Sequence, residues 1–192
     1  VLDHIDQQVG RMLDQLRADG RLANTFIIFT SDHGLALGSH GLMGKQNMYD
    51  HTIRVPFIIS GPGIAKGQRE PAFGFLRDIF PTVCDLAGLP IPKSVEAKSL
   101  APLLRGQRKH VHAAGYGYFQ DMQRMILVEN WKLIFYLNTG RHQLFNLTDD
   151  PYELNDLSRS PVCRARLQRM RQSLYQWFHN QGDELFLRGF KD

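Results

Sequence analysis

The chain opens with an amphipathic helical pattern that is followed by continuous apolar runs. Hydrophobic residues recur at three- and four-residue spacing between Leu2 and Ala18, and Gly20 is suited to end that helix. The run Thr25 to Thr30 is apolar and β-branched, which is typical of a strand covered on both faces, and Val55 to Ser60 repeats the pattern. With a further helix predicted from Asp78 to Ala87, these patterns indicate one predominantly parallel sheet flanked by helices.

The second half of the chain has shorter patterns. From Leu89 to about His112 the sequence is rich in Pro, Lys and Ser, which indicates a surface connection with one short helical turn. Three short strands are then predicted at Met122 to Val128, Lys132 to Tyr136 and His142 to Asn146, and the turn residues between them indicate an antiparallel meander. An amphipathic pattern from Pro161 to about Gly182 predicts a closing helix.

These patterns predict an α/β fold in two parts. Residues 1–111 would form a mostly parallel sheet flanked by helices, and residues 112–192 would form a small antiparallel sheet with a C-terminal helix. Hydrophobic residues make up 43% and charged residues 22% of the chain, which is ordinary globular usage and argues against a disordered protein. No apolar run approaches the roughly 20 residues that a membrane helix needs, so no membrane partner is expected.

The charge distribution does not indicate a nucleic-acid partner. The net charge is +4, and 23 Lys and Arg are spread among 19 Asp and Glu. The densest basic stretch, Arg159 to Arg171, shares a helical pattern with apolar residues, which favours the solvent-facing side of a helix. Cys84 and Cys163 lie far apart in helical segments, an arrangement that permits a disulfide without implying one.

Asp32 and His33 directly follow the first apolar run. Open α/β sheets place their ligand sites at the carboxyl ends of strands. A carboxylate oxygen and a neutral imidazole nitrogen at that position can bind the same divalent cation. Taken alone, the pair has an alternative interpretation, in which Asp32 caps the following turn and His33 is a polar rim residue, because a full metal shell needs about four to six ligands.

The loop after this pair carries an ordered series of motifs. Ser-Asp-His-Gly is followed by Leu-Gly-x-His-Gly, then by Gly-Lys with a Tyr and an acidic residue, and then by Arg-Val-Pro at the next apolar run. Later motifs are Asp-Ile-Phe-Pro-Thr, which starts at Asp78, and Asp-Pro-Tyr-Glu-Leu-Asn, which starts at Asp150. In this order the motifs resemble the sulfatase branch of the alkaline phosphatase superfamily, and the resemblance covers most of the chain.

The resemblance implies an alkaline-phosphatase-like fold and a set of site residues. Asp32 and His33 match two ligands of the active-site divalent cation. Lys45 matches the catalytic, substrate-binding lysine that contacts the sulfate oxygens and the charge developing on the leaving group. His40 and Arg54 match family positions that support the site. Calcium is the favoured cation, but many sulfatases have Asn where this chain has His33, and imidazole suits manganese better, so manganese and magnesium stay open.

The nucleophile of a sulfatase is not found in these 192 residues. Sulfatases use a Cys or Ser, converted to formylglycine, within a Cys/Ser-x-Pro/Ala-x-Arg motif, and neither Cys84 nor Cys163 stands in one. The early Asp pair that completes the metal shell in the family is missing too. Because the opening helix also lacks a cap signal, we expect a C-terminal region of a sulfatase, with the formylglycine and the other ligands upstream.

The resemblance implies that the full-length protein hydrolyses a small-molecule or glycan sulfate ester with the help of a divalent metal, and that this region alone is inactive. Two alternatives stay open. A phosphoryl or phosphonate monoester hydrolase of the same superfamily would use the same cation and lysine. In a non-catalytic structural or binding module, Asp32, His33 and Lys45 would diverge. Family analogy favours a periplasmic or secreted location, and the sequence does not specify an oligomeric state.

Overall fold

A computed structural model describes residues 2–189 of the chain. Its first helix, α1 (Leu2–Ala18), coincides with the predicted amphipathic helix, and the chain turns at Gly20, where φ is 68°. Strand β1 (Ile27–Thr30) follows and pairs with β2 (Phe57–Ser60). The helix and both strands therefore lie where the hydrophobic pattern predicted them.

The pairing of these two strands differs from the prediction. β1 and β2 run antiparallel, with Ile28 opposite Ile59, and form a two-stranded sheet. The predominantly parallel sheet in which both strands were predicted to lie is thus not shown within residues 2–189. Parallel neighbours need a long crossover that returns the chain to its starting edge, usually a helix across the sheet. The connection here holds only the one-turn helix α2 (Asp50–Ile53) and a short 3₁₀ turn, so β2 starts near the end of β1 and runs back.

The apolar runs are covered on one side only by the described residues. Phe29 in β1 is 45% exposed and Ile58 in β2 is 59% exposed. Within β2, exposed and half-buried residues alternate, as expected for a strand with one covered face. α1 contains no buried residue, and its Met12 is 69% exposed. Continuous apolar sequence thus predicted the strands correctly but overstated their burial within residues 2–189.

Two short helices follow the first sheet. α3 (Ile79–Leu86) is the helix predicted from Asp78, and α4 (Ala101–Leu104) is the short turn predicted within the proline-rich connection. That connection is more than a surface segment, because Leu100 and Leu103 are buried.

Asp78 fastens this connection to the start of α3. Its fully buried carboxylate accepts hydrogen bonds from the backbone N–H groups of Phe75 and Lys98, at 2.9 and 3.1 Å. Nε2 of the buried His112 lies 2.7 Å from the same carboxylate. A buried carboxylate is tolerated only when its oxygens are paired, and these three partners satisfy that requirement.

The second half contains a four-stranded antiparallel meander in chain order. Its strands are β3 (Gly115–Phe119), β4 (Gln123–Val128), β5 (Trp131–Tyr136) and β6 (Arg141–Asn146). The last three were predicted, and the antiparallel subdomain sheet is present as expected. β3 was missed because its two glycines weaken a strand pattern.

Helices α5 (Arg164–Asn180) and α6 (Glu184–Gly189) cover one face of this meander. α5 is the predicted closing helix, whereas α6 was not predicted. The division of the chain between residues 111 and 112 stays a prediction, and its outer ends, residue 1 and residues 190–192, lie outside the described residues. Both cysteines are free thiols. No helix within residues 2–189 is long and apolar enough to cross a bilayer.

Candidate active site

The candidate catalytic residues lie in the loop that joins β1 to β2. Asp32 and His33 follow β1 directly, and Lys45 lies further along the loop. Nζ of Lys45 lies 2.5 Å from Nε2 of His33, and Oδ2 of Asp32 lies 3.1 Å from that same nitrogen. The three side chains therefore converge at the carboxyl end of β1.

The hydrogen bonds of His33 define the role of each ring nitrogen. Nδ1 lies 3.0 Å from the carbonyl oxygen of Gly34, which can only accept, so Nδ1 carries the proton. In the neutral ring, Nε2 then has a free lone pair, and it accepts from the ammonium group of Lys45. A carboxylate oxygen and this lone pair, 3.1 Å apart, form a pair of acceptors that attracts positive charge.

A divalent cation fits this donor set. The side chain of Asp32 is 79% exposed, so its Oδ2 is accessible to an ion, while its Oδ1 accepts from the backbone N–H of His33 at 2.9 Å. Orientation of a ligand imidazole by a hydrogen bond from its other nitrogen is common around metals. Within residues 2–189, no group of three or more His, Cys, Asp or Glu side chains could hold a metal ion. Asp32 and His33 can therefore supply part of a coordination shell only.

Backbone hydrogen bonds fold the loop back on itself. The N–H of Ala36 donates to the carbonyl of Gly44 at 3.0 Å, and that of Gly38 donates to Leu42 at 2.8 Å. Gly38 has a φ of 102°, a conformation that a residue with a side chain rarely adopts. The closed loop brings Lys45 alongside His33.

Gly34 fixes the other side of the loop. Its N–H donates to the carbonyl of Thr52 in α2 at 2.8 Å. A Cβ added at Gly34 would lie 2.0 Å from the carbonyl oxygen of His51, which is a backbone atom that cannot turn aside. The backbone next to His33 therefore lies in direct contact with α2, and only glycine fits there.

His40 and Arg54 contact the residues that support the loop. The His40 ring stacks on Tyr49 with centroids 3.9 Å apart, and its Nε2 donates to the carbonyl of Tyr152 at 3.0 Å. Arg54 is largely exposed, and its guanidinium lies 3.6 Å from the carboxylate of Asp50. Both side chains thus contact the start of α2, and the supporting roles expected for them stay predictions.

His51 lies beside the His40 and Tyr49 rings, at 5.5 and 5.7 Å between centroids. Burial lowers the pKa of His51, and the nearby His40 and Lys132 lower it further. The ring therefore stays neutral at neutral pH and acts as packing beneath the loop.

The sequence analysis missed the residues that support the loop from the C-terminal half. Tyr152 and Glu153 belong to the Asp-Pro-Tyr-Glu-Leu-Asn motif, which served there only as a mark of resemblance. Lys132 lies at the start of an apolar strand pattern, and a charged residue in such a pattern is a signal for a buried ion pair. This signal could have identified Lys132, but not its partners.

Comparisons with known proteins find sulfatases among the relatives of this chain. A family model described as Sulfatase matches residues 2–89. An arylsulfatase of Clostridium perfringens is 36% identical over 181 residues, an alignment that covers 90% of this chain and 37% of that protein. This chain belongs to the sulfatase family. The family resemblance inferred from the loop motifs is thereby confirmed.

Solved structures show the same fold. A protein solved in complex with its substrate D-glucosamine-2-N,6-O-disulfate superposes with a TM-score of 0.86 at 28% identity, over 94% of this chain and 39% of that one. The phosphonate monoester hydrolase of Agrobacterium radiobacter superposes with a TM-score of 0.78 at 27% identity, over 90% of this chain and 38% of that one. The chain thus spans about two fifths of the length of these relatives. Sulfatases in general use a metal ion and a formylglycine.

Proposed function

We propose that the full-length protein hydrolyses a sulfate monoester, with Asp32, His33 and Lys45 in its active site. The observation that supports this function is the convergence of these three side chains, with the Lys45 ammonium 2.5 Å from His33, in a chain of the sulfatase family. A sulfate ester is a tetrahedral anion, and an ammonium beside a cation-binding pair is suited to bind one.

Each of the three residues has a distinct role in this proposal. Asp32 and His33 bind the divalent cation, for which calcium is the first choice and manganese or magnesium are the alternatives. The cation, when bound, supplies Lewis-acid neutralisation of the ester oxygens. Lys45 donates hydrogen bonds to the sulfate oxygens and neutralises charge on the departing oxygen. The formylglycine nucleophile belongs to a part of the full-length protein outside these 192 residues.

The substrate class proposed is a small-molecule or glycan sulfate ester. Support comes from the structural relative that was solved with a disulfated glucosamine as its substrate. A sulfated glycan substrate would agree with the periplasmic or secreted location that we propose.

Replacement of Lys45 in the full-length enzyme tests this function. Lys45→Ala should lower kcat/KM for an aryl sulfate by on the order of 100-fold, comparable to the loss of one oxyanion-stabilising donor. Lys66→Ala, which removes another exposed lysine, is the matched control and should leave kcat/KM unchanged. A full-length Lys45→Ala enzyme with wild-type activity would contradict the role given to Lys45.

The phosphonate monoester hydrolase relative supports a second candidate function. Nitrophenyl sulfate and nitrophenyl phenylphosphonate share a leaving group, so the ratio of their kcat/KM values compares the two transferred groups directly. We expect the ratio to favour the sulfate ester. A preference for the phosphonate ester would make the phosphonate hydrolase the better description.

A further inference from the structure

Lys132 is a fully buried lysine within strand β5. Its ammonium forms ion pairs with the carboxylates of Asp50 and Glu153, the latter at 2.7 Å, and donates to the carbonyl oxygen of Met48 at 3.3 Å. Asp50 begins α2, whereas Glu153 lies beyond β6. We call Lys132, Asp50 and Glu153 the buried charge cluster.

Stability alone does not readily explain the buried charge cluster. Removal of ions from water costs free energy that their attraction repays only in part, and apolar replacements of such clusters are often at least as stable. The next residues of β5, Leu133, Ile134 and Phe135, are apolar and buried. Apolar side chains are thus accommodated on both faces of β5, and burial alone does not explain a lysine at position 132.

The cluster is connected to the candidate active site by two routes. On one route, Glu153 accepts a hydrogen bond from the backbone N–H of Asp50 at 2.6 Å, which anchors the start of α2. The carbonyl of Thr52 in the same short helix accepts from Gly34, the neighbour of His33. On the other route, Lys132 binds the carbonyl of Met48, three residues after Lys45.

The segment that carries Glu153 is itself held in a defined shape. Glu153 has a φ of 59°, a left-handed conformation that is uncommon for a residue with a side chain. The carboxylate of Asp150 accepts from the backbone N–H groups of Leu154 and Asn155, at 3.0 and 2.8 Å, which closes the turn around it. The same turn offers the Tyr152 carbonyl to His40. The turn therefore contacts the loop at two separate points.

We propose that Lys132 and Glu153 are positioning residues that hold Lys45 against the Asp32 and His33 pair. They reach the active site through the backbone of residues 48–52 and Gly34, and neither touches the ester. This inference rests on the proposed function. It predicts that loss of the cluster misplaces Lys45 relative to the cation site, an error of a kind that lowers rates strongly even when it is small.

A charge-matched double variant of the full-length enzyme tests the inference. Lys132→Met with Glu153→Gln removes one positive and one negative charge and retains a side-chain oxygen that can accept from Asp50. We expect kcat/KM for an aryl sulfate to fall at least tenfold when it is measured at a saturating concentration of calcium. Should this variant not fold, Glu153→Ala alone tests the route through α2, because it removes the acceptor of the Asp50 N–H.

A matched control uses another ion pair that involves a buried strand residue of the meander. Arg124 in β4 is 2% exposed and pairs with Asp183 at 2.6 Å, on the face covered by α5 and α6. Arg124→Met with Asp183→Asn should lower the melting temperature about as much as Lys132→Met with Glu153→Gln does. Its kcat/KM should change less than threefold.

The decisive measurement repeats the cluster substitutions in a Lys45→Ala background. If the cluster acts through Lys45, its effect on kcat/KM should shrink to less than threefold there, because the group to be positioned is gone. An equal loss in both backgrounds, or a loss below threefold with Lys45 present, would overturn the inference and leave the proposed function intact. A Lys45→Ala enzyme with full activity would instead reject the proposed function.

Discussion

The two faces of the C-terminal meander share the same strands but contact different partners. One face is mainly apolar apart from the Arg124–Asp183 ion pair, and its Leu133 and Leu144 pack beneath α5 and α6. The opposite face packs against the active-site loop through Met48 and Tyr49, and it includes the buried Lys132. Side chains alternate along a strand, so the neighbouring residues Lys132 and Leu133 lie on opposite faces, Lys132 beside the loop and Leu133 beneath the helices.

The difference follows from the directionality of the two kinds of contact. Apolar burial stabilises in proportion to area and is nearly indifferent to orientation. Hydrogen bonds and ion pairs weaken steeply when distance or angle changes, so they fix the position of the groups that they join. On the loop-facing side, the hydroxyls of Tyr49 and Tyr136 both donate to Oε1 of Gln143, at 2.9 and 2.6 Å. We therefore expect the helix-facing side to contribute mainly to stability and the loop-facing side to position the loop as well.

Leu174→Ala should have the largest effect on stability and little effect on catalysis. Leu174 in α5 is fully buried against the apolar face, and truncation of such a residue costs about 2–5 kcal/mol. Chemical denaturation of the full-length protein measures the loss, and kcat/KM is measured where the variant is still folded. Leu154→Ala, at a residue that is 76% exposed, is the control and should change stability by less than about 0.5 kcal/mol. A large fall in kcat/KM for folded Leu174→Ala would show that the two faces are not separate in function.

Gly34→Ala, in contrast to Leu174→Ala, should lower catalytic activity strongly. The new Cβ would meet the His51 carbonyl oxygen at 2.0 Å, so the backbone beside His33 must move away from α2. We expect kcat/KM for an aryl sulfate to fall on the order of 100-fold, because misplacement of about 1 Å at a reacting centre can cost that much. Gly10→Ala, where a Cβ meets nothing within 4 Å, should leave activity unchanged. Wild-type activity in Gly34→Ala would mean that contact with α2 does not position His33.

Local sequence patterns were sufficient for elements with one apolar face. The spacing of hydrophobic residues predicted α1 over its whole length and located β4 to β6 to within a few residues. β3 escaped prediction because Gly115 and Gly117 remove side chains from its pattern. The antiparallel pairing of β2 with β1 was also not predicted. An apolar run such as Thr25 to Thr30 indicates a buried strand, but it does not specify the direction of the strand beside it.

For the candidate site too, local sequence was sufficient for some residues only. Asp32, His33 and Lys45 lie close together in sequence and within recognisable motifs, so they could be proposed as a group. The contact of Glu153 with Asp50 joins residues that are 103 positions apart. No local pattern specifies such a contact, because it depends on how the completed meander packs against the loop. The candidate catalytic residues were therefore easier to predict than the distant residues that contact their loop.

The pH dependence of the Arg124–Asp183 pair gives the smallest expected effect. Burial disfavours the charged form of Asp183, but hydrogen bonds from Arg124 and the backbone N–H of Phe186 outweigh it and hold the pKa of the carboxyl below its usual value. A carboxyl whose pKa is lower in the folded state stabilises fully above its unfolded-state pKa, and this contribution is lost as the pH falls through the folded-state pKa.

The free energy of unfolding should therefore fall more steeply on acidification, below the usual pKa of an aspartate near 4, in wild type than in Asp183→Asn. Denaturation midpoints measured from neutral pH downward test this, and kcat/KM of Asp183→Asn at neutral pH should match wild type, because the pair lies on the helix-facing side. Parallel stability curves for the two proteins would show that Asp183 does not stabilise through its charge. A changed kcat/KM in Asp183→Asn would place the helix-facing side among the determinants of loop position and would weaken the contrast between the two faces.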